Sequence, residues 1–219
     1  MILDSFGRSL ASMLNAFRER RRRQFIERLC DRGMRLGENV VIMQGVIFDA
    51  DYPWLIEIEA GCRLSANTRI MAHDATPFRD FGVTRIGRVR ILKDSFIGEN
   101  TIILPGVSIG PRAMVAAGSV VGRDIGEGVL AAGNPARVYG QYDEYLARTK
   151  AAVQSALVVP ISSVGGDARI AEVRTALDLG HQVFVRDAEA APSYFHNITD
   201  AEVKRRATEA YERNFGDTH

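Results

Sequence analysis

The stretch Ile91-Leu92-Lys93-Asp94-Ser95-Phe96-Ile97-Gly98-Glu99-Asn100-Thr101-Ile102-Ile103-Leu104-Pro105-Gly106-Val107-Ser108-Ile109-Gly110, continuing to Gly126, carries an aliphatic residue at every sixth position: Ile91, Ile97, Ile103, Ile109, Val115 and Val121. That period is neither the 2 of a strand nor the 3.6 of a helix. Six matches in one register arise by chance on the order of once in several thousand trials, and self-similarity at a fixed period marks a repeat architecture. The position after each aliphatic reads Leu92, Gly98, Leu104, Gly110, Ala116 and Gly122; four places after it come Ser95, Thr101, Val107, Ala113, Ser119 and Ile125. Three such hexads make one triangular coil of parallel β-structure. The aliphatic points to the axis, small residues sit at the corners, and Gly supplies the backbone freedom that tight corners need.

The rhythm runs backward from Ile91 with two breaks. Leu36, Ile42 and Phe48 open it, and Ile58, Leu64 and Ile70 resume it after Asp49 to Glu57, a segment holding Asp51-Tyr52-Pro53-Trp54 whose Pro predicts a loop or bent coil. The second break, from Ala72 to Arg90, includes His73-Asp74-Ala75-Thr76-Pro77-Phe78 and predicts a loop thrown out of the coil, where function on a rigid scaffold tends to sit. After Gly126 the coil closes through Ala131-Ala132-Gly133-Asn134-Pro135-Ala136-Arg137-Val138. The sequence divides into an N-terminal helical segment (1–33), the coil domain (34–140, with a protruding loop at 74–90) and a mainly helical extension (141–219).

The N-terminal segment predicts a helix over 2–32, from Leu3, Phe6, Leu10, Met13, Leu14 and Phe17 and then Phe25, Ile26 and Leu29, with Gly33 as its stop. Arg18 to Arg23 holds five arginines and Glu19. This run is read either as a surface meeting anionic lipid head groups weakly, or as a solvated or subunit-packing face. Beyond Gly140 the period is lost. Helices are expected at Tyr142 to Leu157, with Tyr145, Leu146, Ala152 and Val153 on one face, and at Ala168 to Leu179. A short strand is expected at His181 to Val185, and a last helix at Thr199 to Phe215, where Thr199 and Glu202 form a capping box. These helices are expected to cover the open end of the coil.

At 219 residues, 25% charged and with a formal net charge of +1, the chain has material for a sizeable core and no global field for a nucleic-acid partner. The arginine run lacks the interleaved aromatics that would stack bases. Cys30 and Cys62 are the only cysteines, share no metal-ligand spacing and are expected to stay reduced. No apolar run reaches the roughly 20 residues that span a bilayer, and the basic cluster follows the apolar residues, the reverse of a secretory signal. A cytoplasmic protein, at most touching the inner face of the membrane, is the expectation.

Residues 36–140 resemble the left-handed β-helix, hexapeptide-repeat acyltransferases, which include galactoside, maltose, serine and xenobiotic acetyltransferases. The residues that carry the likeness are Ile97-Gly98-Glu99-Asn100-Thr101-Ile102, Ile103-Leu104-Pro105-Gly106-Val107-Ser108-Ile109-Gly110, Ala117-Gly118-Ser119-Val120-Val121 and the closing Ala131 to Val138. Tyr52-Pro53-Trp54-Leu55-Ile56 with Ile70-Met71-Ala72-His73-Asp74-Ala75 is similar to a subgroup that acetylates sugars and bacterial surface polysaccharides. The handedness comes from the resemblance alone, since it opposes the usual right-handed crossover.

The resemblance implies an acetyl-CoA-dependent O-acetyltransferase. His73, the only histidine between Leu36 and Gly140, would be the general base, taking the proton of an acceptor hydroxyl as it attacks the thioester. Asp49, Asp51 and Asp74 are candidates for orienting the imidazole or gripping a sugar; Trp54 would stack a sugar or pack beside the coil. Ala117, Gly118, Ala132 and Gly133 would line a narrow pantetheine groove, with Arg123 and Arg137 at the nucleotide end and Gly122 where relatives often carry Thr. Arg85, Arg88 and Arg90 are read as surface charge or as a site for an anionic acceptor. A homotrimer with active sites between coils is implied, with a sugar or polysaccharide precursor as acceptor and no metal. The alternatives are N-acetylation of an amino sugar on a nucleotide carrier and a non-catalytic scaffold; a zinc site of three histidines is excluded by the single one.

Overall fold

The structure is a computed structural model that describes residues 2–160 and 167–186. Helix α1 (Ile2–Asp31) comes first. It ends where the sequence predicts, because Gly33 adopts a positive φ of 99° and the amides of Gly33 and Met34 close onto the carbonyls of Cys30 and Leu29 at 2.9 and 3.0 Å.

Strands of two or three residues follow, three to a turn. The first turn is β1 (Arg35–Leu36), β2 (Val41–Ile42) and β3 (Ile47–Phe48), and the second is β4 (Ile56–Ile58), β5 (Arg63–Leu64) and β6 (Arg69–Ile70). The excursion β7 (His73–Asp74), α2 (Phe78–Phe81) and β8 (Arg85–Ile86) interrupts them. The third turn is β9 (Val89–Ile91), β10 (Phe96–Ile97) and β11 (Ile102–Ile103); the fourth is β12 (Ser108–Ile109), β13 (Met114–Val115) and β14 (Val120–Val121). Strands β15 (Val129–Gly133) and β16 (Ala136–Gln141) close the coil.

These strands stack into three faces, ordered β1-β4-β9-β12, β2-β5-β10-β13-β15-β16 and β3-β6-β11-β14, all parallel except the last pair. The register aligns the sixth-position residues into ladders. Leu36, Ile58, Ile91 and Ile109 form the first; Ile42, Leu64, Ile97, Val115 and Ala131 the second; and Phe48, Ile70, Ile103 and Val121 the third. All are buried in one core, and each large side chain contributes about 1.5–3 kcal/mol relative to exposure. The corners explain the small residues. A Cβ on Gly98 would lie 2.4 Å from the backbone nitrogen of Ala117, whereas Asn67, Asn100 and Gly118 turn with φ of 59°, 57° and 70°, the left-handed region that Asn and Gly tolerate best.

Both ends of the coil are closed. Ile26, Leu29 and Cys30 of α1, with Met34, are buried in the same core, so the end of the helix plugs the first turn. Further back along α1, Met13 and Phe17 are exposed, and the arginine run is partly engaged, with Arg22 donating to the Ile42 carbonyl at 2.6 Å and pairing with Glu19 at 2.9 Å, and Arg23 pairing with Glu27.

The far end differs from expectation. Among the described residues it is the antiparallel β16, not a helix, that pairs with the edge of β15. Helix α3 (Tyr142–Ser155) follows β16 with no buried residue, and Tyr145 and Leu146 stay exposed; Arg112 reaches it, bonding Asp143 at 2.6 Å and lying over the Tyr142 ring. The extension also holds more strand than predicted. β17 (Leu157–Pro160) pairs in parallel with β18 (Val183–Arg186) across α4 (Asp167–Asp178), a βαβ unit. The expected helix at Thr199 to Phe215 lies outside the described residues.

Candidate active site

Because β3 stacks on β6, the residues that leave β3 meet those that leave β6. Asp49 is thereby carried onto Ala72 and His73, 24 positions away in sequence. Its side chain is buried, 3% exposed, against 30% for His73. Four donors surround its two oxygens. Oδ1 accepts from the amides of Asp51 at 3.1 Å and Tyr52 at 3.3 Å, while Oδ2 accepts from the Ala72 amide at 2.8 Å and lies 2.5 Å from His73 Nδ1. Burial alone would raise this carboxyl's pKa, but the Ala72 amide, the His73 ring and the Asp51 amide outweigh it and hold it below the usual carboxylate value.

A carboxylate can only accept, so Nδ1 of a neutral His73 must carry the proton and Nε2 is left as an acceptor. The Tyr52 ring rests on the imidazole, with centroids 5.3 Å apart, and Trp54 in turn meets Tyr52 edge-on at 5.5 Å. Trp54 sits in a short 3₁₀ turn, Pro53–Leu55, and is half-buried. Arg32, just past α1, donates to the carbonyls of Ala50 at 2.6 Å and Asp51 at 3.2 Å.

Asp51 and Asp74 behave differently from Asp49. Asp51 is exposed and lies close enough to Asp49 and His73 that their donor atoms fall within 4.8 Å of one another, the spacing of a metal site. Both Asp49 oxygens, however, already accept hydrogen bonds that a cation would have to displace. Asp74 turns into its own hairpin. Hydrogen bonds from Thr76, foremost, and the positive charge of Arg85 3.9 Å away hold its carboxyl below the usual value. Arg85 is therefore engaged at the base of the β7–β8 hairpin, and Arg90 lies on the coil face against Ser108 at 3.3 Å.

The residues expected to bind coenzyme A fall into two groups. Gly122 and Arg123 follow β14 as His73 follows β6, so they share its corner two turns further on. Ala117 and Gly118 occupy the neighbouring corner in the fourth turn, and Ala132 and Gly133 stack on it in the last turn. There Gly133 donates to Ser119 Oγ at 3.2 Å, and Ala132 pairs with Arg137 across the closing hairpin. At the usual strand spacing of about 4.8 Å, two turns separate His73 from Arg123 by about 10 Å along the axis and three separate it from Ala132 by about 14 Å. Gly118, Gly122, Arg123, Gly133 and Arg137 are exposed, so small residues and two cations lie on the surface of the last turns. One chain thus holds the histidine and the small-residue corner apart.

The bacterial transferase hexapeptide family (six repeats) matches residues 88–123, the stretch that builds the third and fourth turns. This stretch carries the hexapeptide repeat of that transferase family. Its coil is accordingly the family's left-handed parallel β-helix. This hexapeptide-repeat protein is 35% identical over 117 residues to "Putative acetyltransferase YvoF" of Bacillus subtilis (strain 168), across 53% of its own length and 66% of that protein's. It is 54% identical over 54 residues to the dTDP-3-amino-3,6-dideoxy-alpha-D-galactopyranose 3-N-acetyltransferase of Aneurinibacillus thermoaerophilus, covering 25% of this chain and 28% of that one. The chain thus spans less than two thirds of the length of these relatives. Among solved structures, the hexapeptide-repeat acetyltransferase VCA0836 of Vibrio cholerae, complexed with acetyl coenzyme A, is similar at 22% identity and a TM-score of 0.44 over 55% of this chain and 86% of that one.

Two residues of this site, Tyr52 and Arg32, are absent from the sequence-derived set of candidates. Tyr52 lies within the motif that pointed to a sugar-acetylating subgroup, which was its available signal. Arg32 carries none, because its partners are backbone carbonyls 18 and 19 residues away.

Proposed function

We propose that this protein transfers an acetyl group from acetyl-CoA to a hydroxyl of a sugar or polysaccharide precursor. The observation that carries the reading is the buried Asp49 carboxylate on His73 Nδ1, which leaves Nε2 as a proton acceptor on the open side of the ring. In the reaction Nε2 takes the proton of the acceptor hydroxyl as its oxygen attacks the thioester carbonyl. The tetrahedral intermediate then collapses, the C–S bond breaks, and the imidazolium returns the proton to the departing coenzyme A sulfur. Asp49 keeps the ring in one tautomer and stabilises the transient imidazolium, and a backbone amide facing the oxyanion is worth about 2.7–4 kcal/mol in other acyl transfers.

Because His73 and the corner of Ala117, Gly118, Ala132 and Gly133 stand apart in one chain, the working site is read as a groove between neighbouring coils of a homotrimer. One chain supplies the base, and Arg123 and Arg137 of the last turns meet the coenzyme A phosphates. The 34–140 coil is the catalytic unit in this reading. No described helix is long and apolar enough to cross a membrane, and the reading assigns the reaction to the cytoplasm. The local 54% likeness to a nucleotide-sugar N-acetyltransferase favours a second reading, in which the acceptor is an amine and the same base removes an ammonium proton.

The test follows thiol release from acetyl-CoA across sugars, nucleotide sugars and polysaccharides for the wild type and His73→Ala. Turnover confined to the wild type with one acceptor class supports the proposal, and product analysis separates ester from amide. Equal turnover by both proteins refutes the general-base assignment.

A further inference from the structure

We propose that Arg32 is a positioning residue for His73, acting through the two peptide groups that link it to Asp49; this rests on the reading of His73 as general base. The guanidinium bonds the carbonyls of Ala50 and Asp51. The amides of Asp51 and Tyr52 bond Asp49 Oδ1. The Ala50 carbonyl and the Asp51 amide belong to one planar peptide group, and the Asp51 carbonyl and the Tyr52 amide to the next. Each peptide is therefore gripped at its oxygen by Arg32 and at its nitrogen by Asp49.

Two consequences follow from that arrangement. A cation on a carbonyl polarises the amide at the other end of the same peptide, so both N–H groups become stronger donors to Asp49, as hydrogen bonds in a chain strengthen one another. The same grip fixes the loop that carries Tyr52, whose ring backs the imidazole. The anchor is firm, since Leu29, Cys30 and Met34 on either side of Arg32 are buried in the coil's core. The fork geometry also needs Arg: two carbonyls are met by two nitrogens of one rigid plane, which a Lys ammonium on a flexible stem does not reproduce. Helix α1 thus does more than plug the first turn, because its end sets the angle of a ring two coils of chain away.

The experiment compares wild type, Arg32→Gln, Arg32→Lys and His73→Ala in the full chain. It measures kcat, KM for acetyl-CoA and the low-field proton resonance of the Asp49–His73 hydrogen bond. Arg32→Gln is expected to lower kcat about 10-fold, within the range that small misplacements of a catalytic group cost. It should leave KM for acetyl-CoA unchanged and shift or broaden the low-field proton; Arg32→Lys should fall between it and the wild type. If Arg32→Gln fails to fold, the Arg32→Lys comparison decides on the same readouts. An unchanged kcat and resonance in a folded Arg32 variant, with His73→Ala inactive, overturns the proposal. Full activity of His73→Ala overturns instead the general-base reading on which it rests, and the resonance then decides by itself whether Arg32 orders the pair.

Discussion

Replacing Asp49 by Asn keeps the size and shape of the side chain and removes its charge. The carboxylate faces four donors, two at each oxygen. A carboxamide has one acceptor oxygen, so its NH₂ must point either at the Asp51 and Tyr52 amides or at the Ala72 amide and His73. In the first orientation two backbone donors lose their acceptor; in the second the Ala72 amide does and the His73 ring must change tautomer, and each costs about 2–4 kcal/mol. For a chain of this size that lowers the melting temperature by about 5–15 °C. If the NH₂ faces His73, Nδ1 must become the acceptor and the proton moves to Nε2, which removes the base; a change of tautomer of this kind costs about 10³–10⁴-fold in kcat.

The pH dependence provides a separate signature. The folded Asp49 carboxyl lies below its ordinary value, so its contribution to stability is complete above about pH 4, the unfolded value. It is lost as pH falls through the lowered folded value. The stability gap between wild type and Asp49→Asn should therefore narrow below about pH 4. The assay is thermal melting across pH together with thiol release from acetyl-CoA at pH 7. An Asp49→Asn protein that melts with the wild type and turns over within threefold of it would refute the reasoning.

Other expectations concern the coil. Gly98→Ala should destabilise by about 2 kcal/mol or more, because its Cβ would meet backbone atoms of the next turn, while Gly118→Ala, with open space and only a positive φ to violate, should cost about 1 kcal/mol; chemical denaturation of the two variants tests the order. Ile103→Ala removes most of a fully buried side chain from the third ladder and should cost about 2–5 kcal/mol, read from the same curves. Burial, with the Glu59 and Asp94 carboxylates adding to it, pushes the Cys62 thiol up to about 11 from 9.0. Since the protonated thiol is the form the fold favours, its contribution is intact below pH 9 and is lost toward pH 11, about 2–3 kcal/mol in all. Denaturation midpoints of wild type and Cys62→Ala should converge over that interval; parallel curves would reject it.

The ladders were legible because each aliphatic position is fixed by one local rule repeated without exception from Ile91 to Val121. Helix α1 was legible for the same reason, through its apolar spacing and Gly33. What escaped is whatever depends on which turns lie next to each other. Asp49 was named among three acidic candidates, yet only the stacking of β3 on β6 separates it from Asp51, which is exposed, and Asp74, which bonds within its own hairpin. The break after His73 was legible as a loop, but its β7–β8 pairing and the closing β15–β16 pairing are antiparallel and carry no six-residue signal. β17 escaped because Leu157 to Pro160 runs on from a helical pattern with no break in composition, and parallel partners 26 residues apart leave no local trace.

A stacked coil has no inherent number of turns, since every new turn offers the next the same exposed edge. Here the count is fixed at both ends, by the buried residues of α1 on one side and by the reversed strand β16 on the other. The solenoid is therefore a ruler with a set length. The level of His73 and the level of Gly133 are separated by whole turns, so deleting or adding one turn of three hexads would move them by one step of about 4.8 Å while leaving every corner facing the same way. Such a protein would keep its groups and its fold and change one quantity, the reach a bound molecule needs to lie against both levels.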